Sequence, residues 1–254
     1  MKNQSPRIKV LTYNIHKGFS VGNRRFVLHQ IKSLLRSVDA DVVFLQEIQG
    51  EHFIKSKKYH NWPDESQFEF LADEVWPHHA YGKNAIYEAG HHGNAILSKH
   101  PFIRWENIDV SYMRSASRSL LHGVIDLGED YPVVHVVCVH LGLFSMERKR
   151  QITKLIRRIN EFVPADEPMI IAGDFNDWQG RSDTHLQQEL GITEVFKELS
   201  GCCARTFPAW MPLLSVDRIY SRGLTAISGH RLHEPSWTGL SDHLPLLAEF
   251  QLDT

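Results

Sequence analysis

Five short apolar runs in the chain each lead into or out of a residue able to bind a metal ion or move a proton. The run from Lys9 to Tyr13 ends at Asn14, Val42 to Gln46 ends at Glu47, and Val133 to Val139 ends at His140. Met169 to Ala172 enters Gly173-Asp174-Phe175-Asn176, and Leu244 to Leu252 begins directly after Ser241-Asp242-His243. Runs of this length read as buried strands, and reactive groups sit where strands leave a core. One such ending is common. Five point to a fold that gathers strand ends at one rim, and their chemistry points to metal-assisted hydrolysis there.

Strand-like segments fall near Ile8–Tyr13, Val42–Gln46, Asn94–Ser98, Leu120–Leu127, Val133–Val139, Met169–Ala172, Arg218–Tyr220 and Leu246–Leu252. Two amphipathic helices stand out. One carries Val27, Ile31, Leu34, Leu35 and Val38 at helical spacing, with Asn23 as its expected N-cap. The other carries Ile152, Leu155, Ile156, Ile159 and Phe162 and stops at Pro164. Its opposite side holds Arg148, Lys149, Arg150, Lys154, Arg157 and Arg158, which we read as a solvated face. A shorter helix is expected over Phe68–Trp76, within a stretch from about 50 to 92 that otherwise reads as loops. Early strand–helix alternation followed by consecutive strands fits two packed sheets flanked by helices.

At 254 residues, with no repeat or linker, the sequence fits a tail over 1–7 and a single domain over 8–252. A net charge of −2 neither announces nor excludes a nucleic-acid partner. Three cysteines do not make a disulfide framework: Cys138 reads as core, and Cys202 and Cys203 as surface thiols. With no apolar segment near the N-terminus and no run long enough to span a bilayer, a reducing, cytoplasmic setting is expected.

Asp174 and Asn176, two apart, would face one side in extended backbone, where they can align a water, hold a hard cation or grip a phosphate oxygen; an Asx-turn is the plainer alternative. Asp242 offers a metal ligand and His243 an imidazole base that needs a carboxylate to orient it. Asp217 is the best candidate, with an ion pair to a nearby Arg as its alternative. Glu47 closes an apolar run where an unpaired carboxylate is costly, and a divalent cation would offset that cost. Asn14 can support the same ion, and His140 can donate to a phosphoryl oxygen. The oxygen-rich set favours Mg²⁺, with Mn²⁺ as a substitute, over zinc. Walker A, dinucleotide-binding and nucleophile-elbow motifs are all missing, which argues against a nucleotide-dependent kinase or a serine hydrolase.

Seven segments occur in a recognisable order: Thr12-Tyr-Asn14-Ile, Leu45-Gln-Glu47, Gly93-Asn94-Ala-Ile-Leu-Ser98, Val139-His140-Leu-Gly142, Gly173-Asp-Phe-Asn176, Val216-Asp217-Arg-Ile219 and Ser241-Asp-His243. In this the chain resembles the endonuclease/exonuclease/phosphatase superfamily of DNase I-like fold, from Lys9 to Leu252. The resemblance implies a four-layer α/β/β/α sandwich and Mg²⁺-dependent phosphoester hydrolysis. It implies that Asn14, Glu47 and Asp242 serve the metal and that Asp174 positions or activates the attacking water. Asn176 would stabilise the transition state, His140 would contact the phosphate, and His243, oriented by Asp217, would be the other acid/base group.

His16 departs from the pattern. It stands where the DNA-repair branch carries an acidic ligand, which argues against an abasic-site enzyme and toward a bacterial branch of unassigned substrate. Asn94 is a further substrate-binding candidate. Arg118 is another, with pocket and plain surface as equal readings; a role near the site is expected for His91 and His92. Tyr13 and Trp178 read as packing residues. Trp62, Trp76 and Trp210–Leu214 read as core or pocket wall, with an interfacial membrane patch as the alternative. A nuclease-like phosphodiesterase is the leading expectation, with nucleic acid and a phospholipid or its head group as candidate substrates. A phosphomonoesterase drawing on Lys83 and Arg118, and a non-catalytic binding module, are the alternatives.

Overall fold

A computed structural model of the chain describes residues 7–87, 89–112 and 117–252. The first half runs β1 (Arg7–Asn14), α1 (Leu28–Val38), β2 (Val42–His52), α2 (Phe53–Lys58), α3 (Gln67–Ala72), β3 (His78–Tyr87), β4 (Gly90–Ser98), β5 (Phe102–Asp109) and β6 (Ser119–Ile125). The second half runs β7 (Val134–His140), α4 (Ser145–Phe162), β8 (Met169–Asp174), α5 (Asp183–Leu190), β9 (Thr193–Glu194), α6 (Val195–Ser200), β10 (Asp217–Arg222), β11 (Leu224–Arg231), α7 (Pro235–Thr238) and β12 (Leu246–Leu252). The strands make two six-stranded mixed sheets, ordered β11-β12-β1-β2-β4-β3 and β5-β6-β7-β8-β10-β9.

The period of two along each strand builds three cores. Between the sheets, Val10, Phe44, Ile96, Val136, Ile170, Ile219 and Phe250 pack into one apolar layer. On the outer face of the first sheet, Leu11, Tyr13, Val43 and Leu45 meet Ile31 and Leu35 of α1. On the outer face of the second, Val137, Val139 and Ile171 meet Ile152, Leu155 and Ile159 of α4. The result is the α/β/β/α sandwich expected. Among the described residues, no helix is long and apolar enough to cross a membrane.

Register explains why the reactive residues converge. β7 and β8 run parallel with His140 opposite Asp174, and antiparallel β10 sets Asp217 opposite Asp174. His140, Asp174 and Asp217 therefore form one row across three adjacent strands. In the other sheet, β1 and β2 are parallel with Asn14 opposite Gln46, and β12 is antiparallel to β1. Its start, with Ser241-Asp242-His243 just before it, thus lies at the end of β1. Gly173 has φ 144°, and a Cβ there would lie 2.0 Å from the Val139 carbonyl oxygen, so the close parallel pairing that sets this row requires glycine.

Several expectations are corrected. Helix α1 starts at Leu28 with Val27 at the N-cap position, and Asn23 instead takes a left-handed φ of 56° in a preceding turn closed by Asn23 N–H donating to Ser20. The 50–92 stretch holds the ten-residue strand β3 and two short helices. β2 continues beyond Glu47 to His52 through a bulge, with Glu47 at φ 57°. Arg148 on α4 is buried, donating to the carbonyls of Gly142 and Leu143, and is not part of a solvated face. Cys138 is buried, Cys202 exposed and Cys203 partly buried.

Candidate active site

At the rim, a cavity of about 270 Å³ is lined by Glu47, Arg118, His140, Asp174, Asn176, Asp242 and His243, with Leu143, Trp178, Phe207, Leu214 and Val216 as its apolar wall. Asp174, at the end of β8, is the hub. Its Oδ2 accepts from Asn14 Nδ2 at 3.1 Å, and its Oδ1 accepts the Asn176 backbone N–H at 2.9 Å. His140 Nε2 lies 3.6 Å from Asp174 Oδ2 and His243 Nε2 lies 3.8 Å from it. Burial, reinforced by Asp217, raises the proton affinity of the Asp174 carboxyl well above the ordinary range, against the opposing pull of His243.

Asn176 reaches the site by a turn and not along an extended strand. Its φ is 51°, and its Nδ2 donates to the Leu141 carbonyl at 2.9 Å. The Asx-type local bond is made by Asp174, whose Oδ1 accepts the Asn176 backbone N–H, while the Asn176 side chain bonds across to the residue after β7. Asp217 accepts from both Thr206 Oγ1 and His243 on Oδ2, the latter at 2.9 Å from Nδ1. Burial alone would lower the basicity of His243, but Asp217 and then Asp174 outweigh it and raise its pKa to about 10. His243 is therefore an imidazolium at neutral pH. His140 goes the other way: burial first, then Arg118, push it well below the usual histidine value, so it is neutral.

On the first-sheet side, Glu47 Oε2 pairs with Lys17 Nζ at 2.9 Å, and Asp242 Oδ1 lies 3.7 Å from His16 Nδ1. Burial opposes the charge on Glu47, yet the Lys17 ammonium, by charge and by hydrogen bond, holds its carboxyl well below the usual range. It is thus a fixed, ionised carboxylate. Asn14 Oδ1 accepts the His16 backbone N–H, and Ser241 Oγ donates to the Asn14 carbonyl at 2.7 Å. His16 and Lys17 have φ of 46° and 59°, strain of the sort found where a site dictates backbone.

Two sets could hold a divalent ion. Ligand atoms of Asp174, Asp217 and His243 lie within 4.8 Å of one another. Asp217 Oδ2 and the facing His243 nitrogen are already joined by a hydrogen bond, however, and an imidazolium repels a cation. Glu47 and Asp242, oxygen donors on the same wall, suit a hard ion better, and the Lys17 ammonium now facing Glu47 shows that this carboxylate draws positive charge.

Asn94 is not on the cavity wall. Its Nδ2 donates to Ser119 O, bridging β4 and β6. Arg118 is on the wall, which decides between its two readings. His91 packs against Tyr81, 2.8 Å from its hydroxyl. His92 feels Lys17, Glu47 and Arg118 and is lowered by burial to about 4. Lys83 sits exposed on β3, away from the wall. Tyr13 packs as expected, whereas Trp178 is 45% exposed and walls the cavity. Trp76 is core, but Trp210, Met211 and Leu213 are exposed, contrary to expectation. Leu214 does wall the cavity, while sequence reasoning passed over Lys17 and Phe207. Gly18, following the two strained residues, was the one available sign of an unusual turn at Lys17.

Two six-stranded sheets between helices, with a carboxylate–histidine row at one rim, define a phosphoester hydrolase of the DNase I-like class. The chain belongs to the endonuclease/exonuclease/phosphatase family, whose model matches residues 11–243. It is 46% identical over 244 residues to YbhP of Escherichia coli K12, covering 96% of each chain. In fold it is similar to an endonuclease/exonuclease/phosphatase from Beutenbergia cavernae, with TM-score 0.77 and 18% identity over 98% of this chain and 72% of that one. It is also similar to the human Nocturnin catalytic domain, solved with bound sulfate, with TM-score 0.75 and 19% identity over 98% and 96% of the two chains.

Proposed function

We propose that the chain is a Mg²⁺-dependent phosphodiesterase that hydrolyses its substrate with an aligned water. The observation that carries this reading is the row of His140, Asp174 and Asp217, with His243 bonded to Asp217 and Asn14 bonded to Asp174. Asp174, with its raised proton affinity, takes the proton of the attacking water. Asn176 and neutral His140 donate to the phosphoryl oxygens, and His243, held as imidazolium by Asp217, faces the growing negative charge. Glu47 and Asp242, supported by Asn14, would hold the ion, with Mn²⁺ as a substitute. When bound, the ion supplies positive charge to the phosphate oxygens.

Among the described residues Arg118 is the one Arg or Lys on the cavity wall, which suits the single charge of a diester better than the double charge of a terminal phosphate. The test is phosphate release or strand cleavage with and without Mg²⁺ over DNA, RNA, a phospholipid diester and phosphomonoesters. Metal-dependent turnover should fall about a hundredfold or more in Asp174→Asn and in His243→Ala. Turnover undiminished in both would refute the assignment. Silence across the panel would favour a binding module.

A further inference from the structure

Three segments that wall the cavity also carry large apolar side chains left exposed among the described residues. The loop after β7 exposes Leu143 and Phe144, and the first turn of α4 exposes Met146, with Phe144 66% accessible. Elsewhere on the same cavity wall, the chain turns out from Phe207 and back at Leu214, paired by a bridge, and the segment between exposes Trp210, Met211 and Leu213, with Trp210 65% accessible. Trp178 lies near the Arg148 guanidinium at 5.4 Å. Each segment also gives the cavity a wall residue: Leu143, Trp178, and Phe207 with Leu214. The exposed apolar side chains and the cavity wall are therefore joined in each of these segments.

Within the three segments that carry these side chains, the exposed charges have one sign. Over 143–150, 177–182 and 205–214 the exposed charged residues are Lys149, Arg150, Arg181 and Arg205. The two carboxylates in these segments, Glu147 and Asp177, are 2% and 4% accessible. Lys149 and Arg181, with buried Arg148, also line a second cavity of about 360 Å³. Apolar tips backed by cations are the pattern of a surface that enters the headgroup boundary of an anionic bilayer. Tryptophan is favoured at that depth.

We infer that this rim docks the protein on an anionic lipid surface and holds the catalytic cavity against the headgroups. Docking is read by binding, without turnover, so its failure leaves the hydrolase reading standing. The experiment is flotation of the full chain with vesicles of phosphatidylcholine alone and of phosphatidylcholine with phosphatidylglycerol. Binding to the anionic vesicles, weakened by salt, is expected, with a blue shift in tryptophan emission. The paired substitutions Trp210→Asp and Leu213→Asp should lower partitioning roughly tenfold or more while the melting temperature holds. Ile103→Asp, an exposed apolar position on β5, should leave it unchanged. Absence of binding to anionic vesicles, or equal binding by the paired variant, overturns the proposal. A dimer in lipid-free solution that the same pair dissolves also overturns it, giving the rim to a second copy of the chain.

Discussion

His243 lies between two carboxylates, and its protonation is the most sensitive quantity in the site. The stability that its raised pKa contributes is fully present below the unfolded value near 6.5 and is lost as pH rises toward the folded value of about 10. Asp217→Asn removes the main cause of the rise. Imidazole nitrogen NMR should then show His243 titrating at least about one unit lower, and turnover should fall about a hundredfold. A His243 that stays protonated through pH 9 in that variant would contradict the arrangement. Lys17 makes a second residue-scale case. Its ammonium competes with any cation at Glu47, so Lys17→Met should tighten Mn²⁺ binding about tenfold, read by electron paramagnetic resonance of the free ion. Weaker binding would instead make Lys17 a support of the ion site.

At the level of elements, β1, β2, β7 and β8 were legible because both their faces are buried, so their sequences are unbroken apolar runs. β3 and β11 are edge strands of the first sheet and β5 an edge strand of the second, and Phe102–Asp109 exposes most of its side chains, which erases the apolar signal. The same logic divides the site. Glu47, His140, Asp174 and His243 stand where apolar runs begin or end, and the run itself flags them. Lys17 and Phe207 reach the rim from turns whose course depends on tertiary packing. Gly173→Ala tests the β7–β8 pairing: a Cβ against the Val139 carbonyl should lower the denaturation midpoint and abolish turnover together. Farther along, on β6 and β7, His122 Nε2 and His135 Nδ1 lie 2.9 Å apart, and burial, then His135, lower His122 to about 3. A histidine neutral when folded and charged when unfolded makes stability fall as pH drops below about 6.5. Between pH 7 and 5 the wild type should lose about 2 kcal/mol more than His122→Gln in urea unfolding. Parallel pH curves for the two proteins would assign the loss elsewhere.

For the whole molecule, the candidate site is the seam of the sandwich. Glu47 and Asp242 come from the first sheet or its approach, and His140, Asp174 and Asp217 from the second. Asn14 reaches Asp174 across the gap, and His243, entering β12, reaches Asp217. Below them Gln46 of β2 donates to Cys138 Sγ of β7 at 3.3 Å. An ion bound by the folded site and not by the unfolded chain stabilises the fold by mass action, by about 2.7 kcal/mol at a hundred times its dissociation constant. For a chain of this size, at roughly 2–4 °C per kcal/mol, that raises the melting temperature by roughly 5–11 °C. We expect such a rise with Mg²⁺ in the wild type and in Asp174→Asn, and none in Glu47→Gln. A rise kept in Glu47→Gln and lost in Asp174→Asn would move the ion to the Asp174–Asp217–His243 cluster, and with it the division of labour between the two sheets.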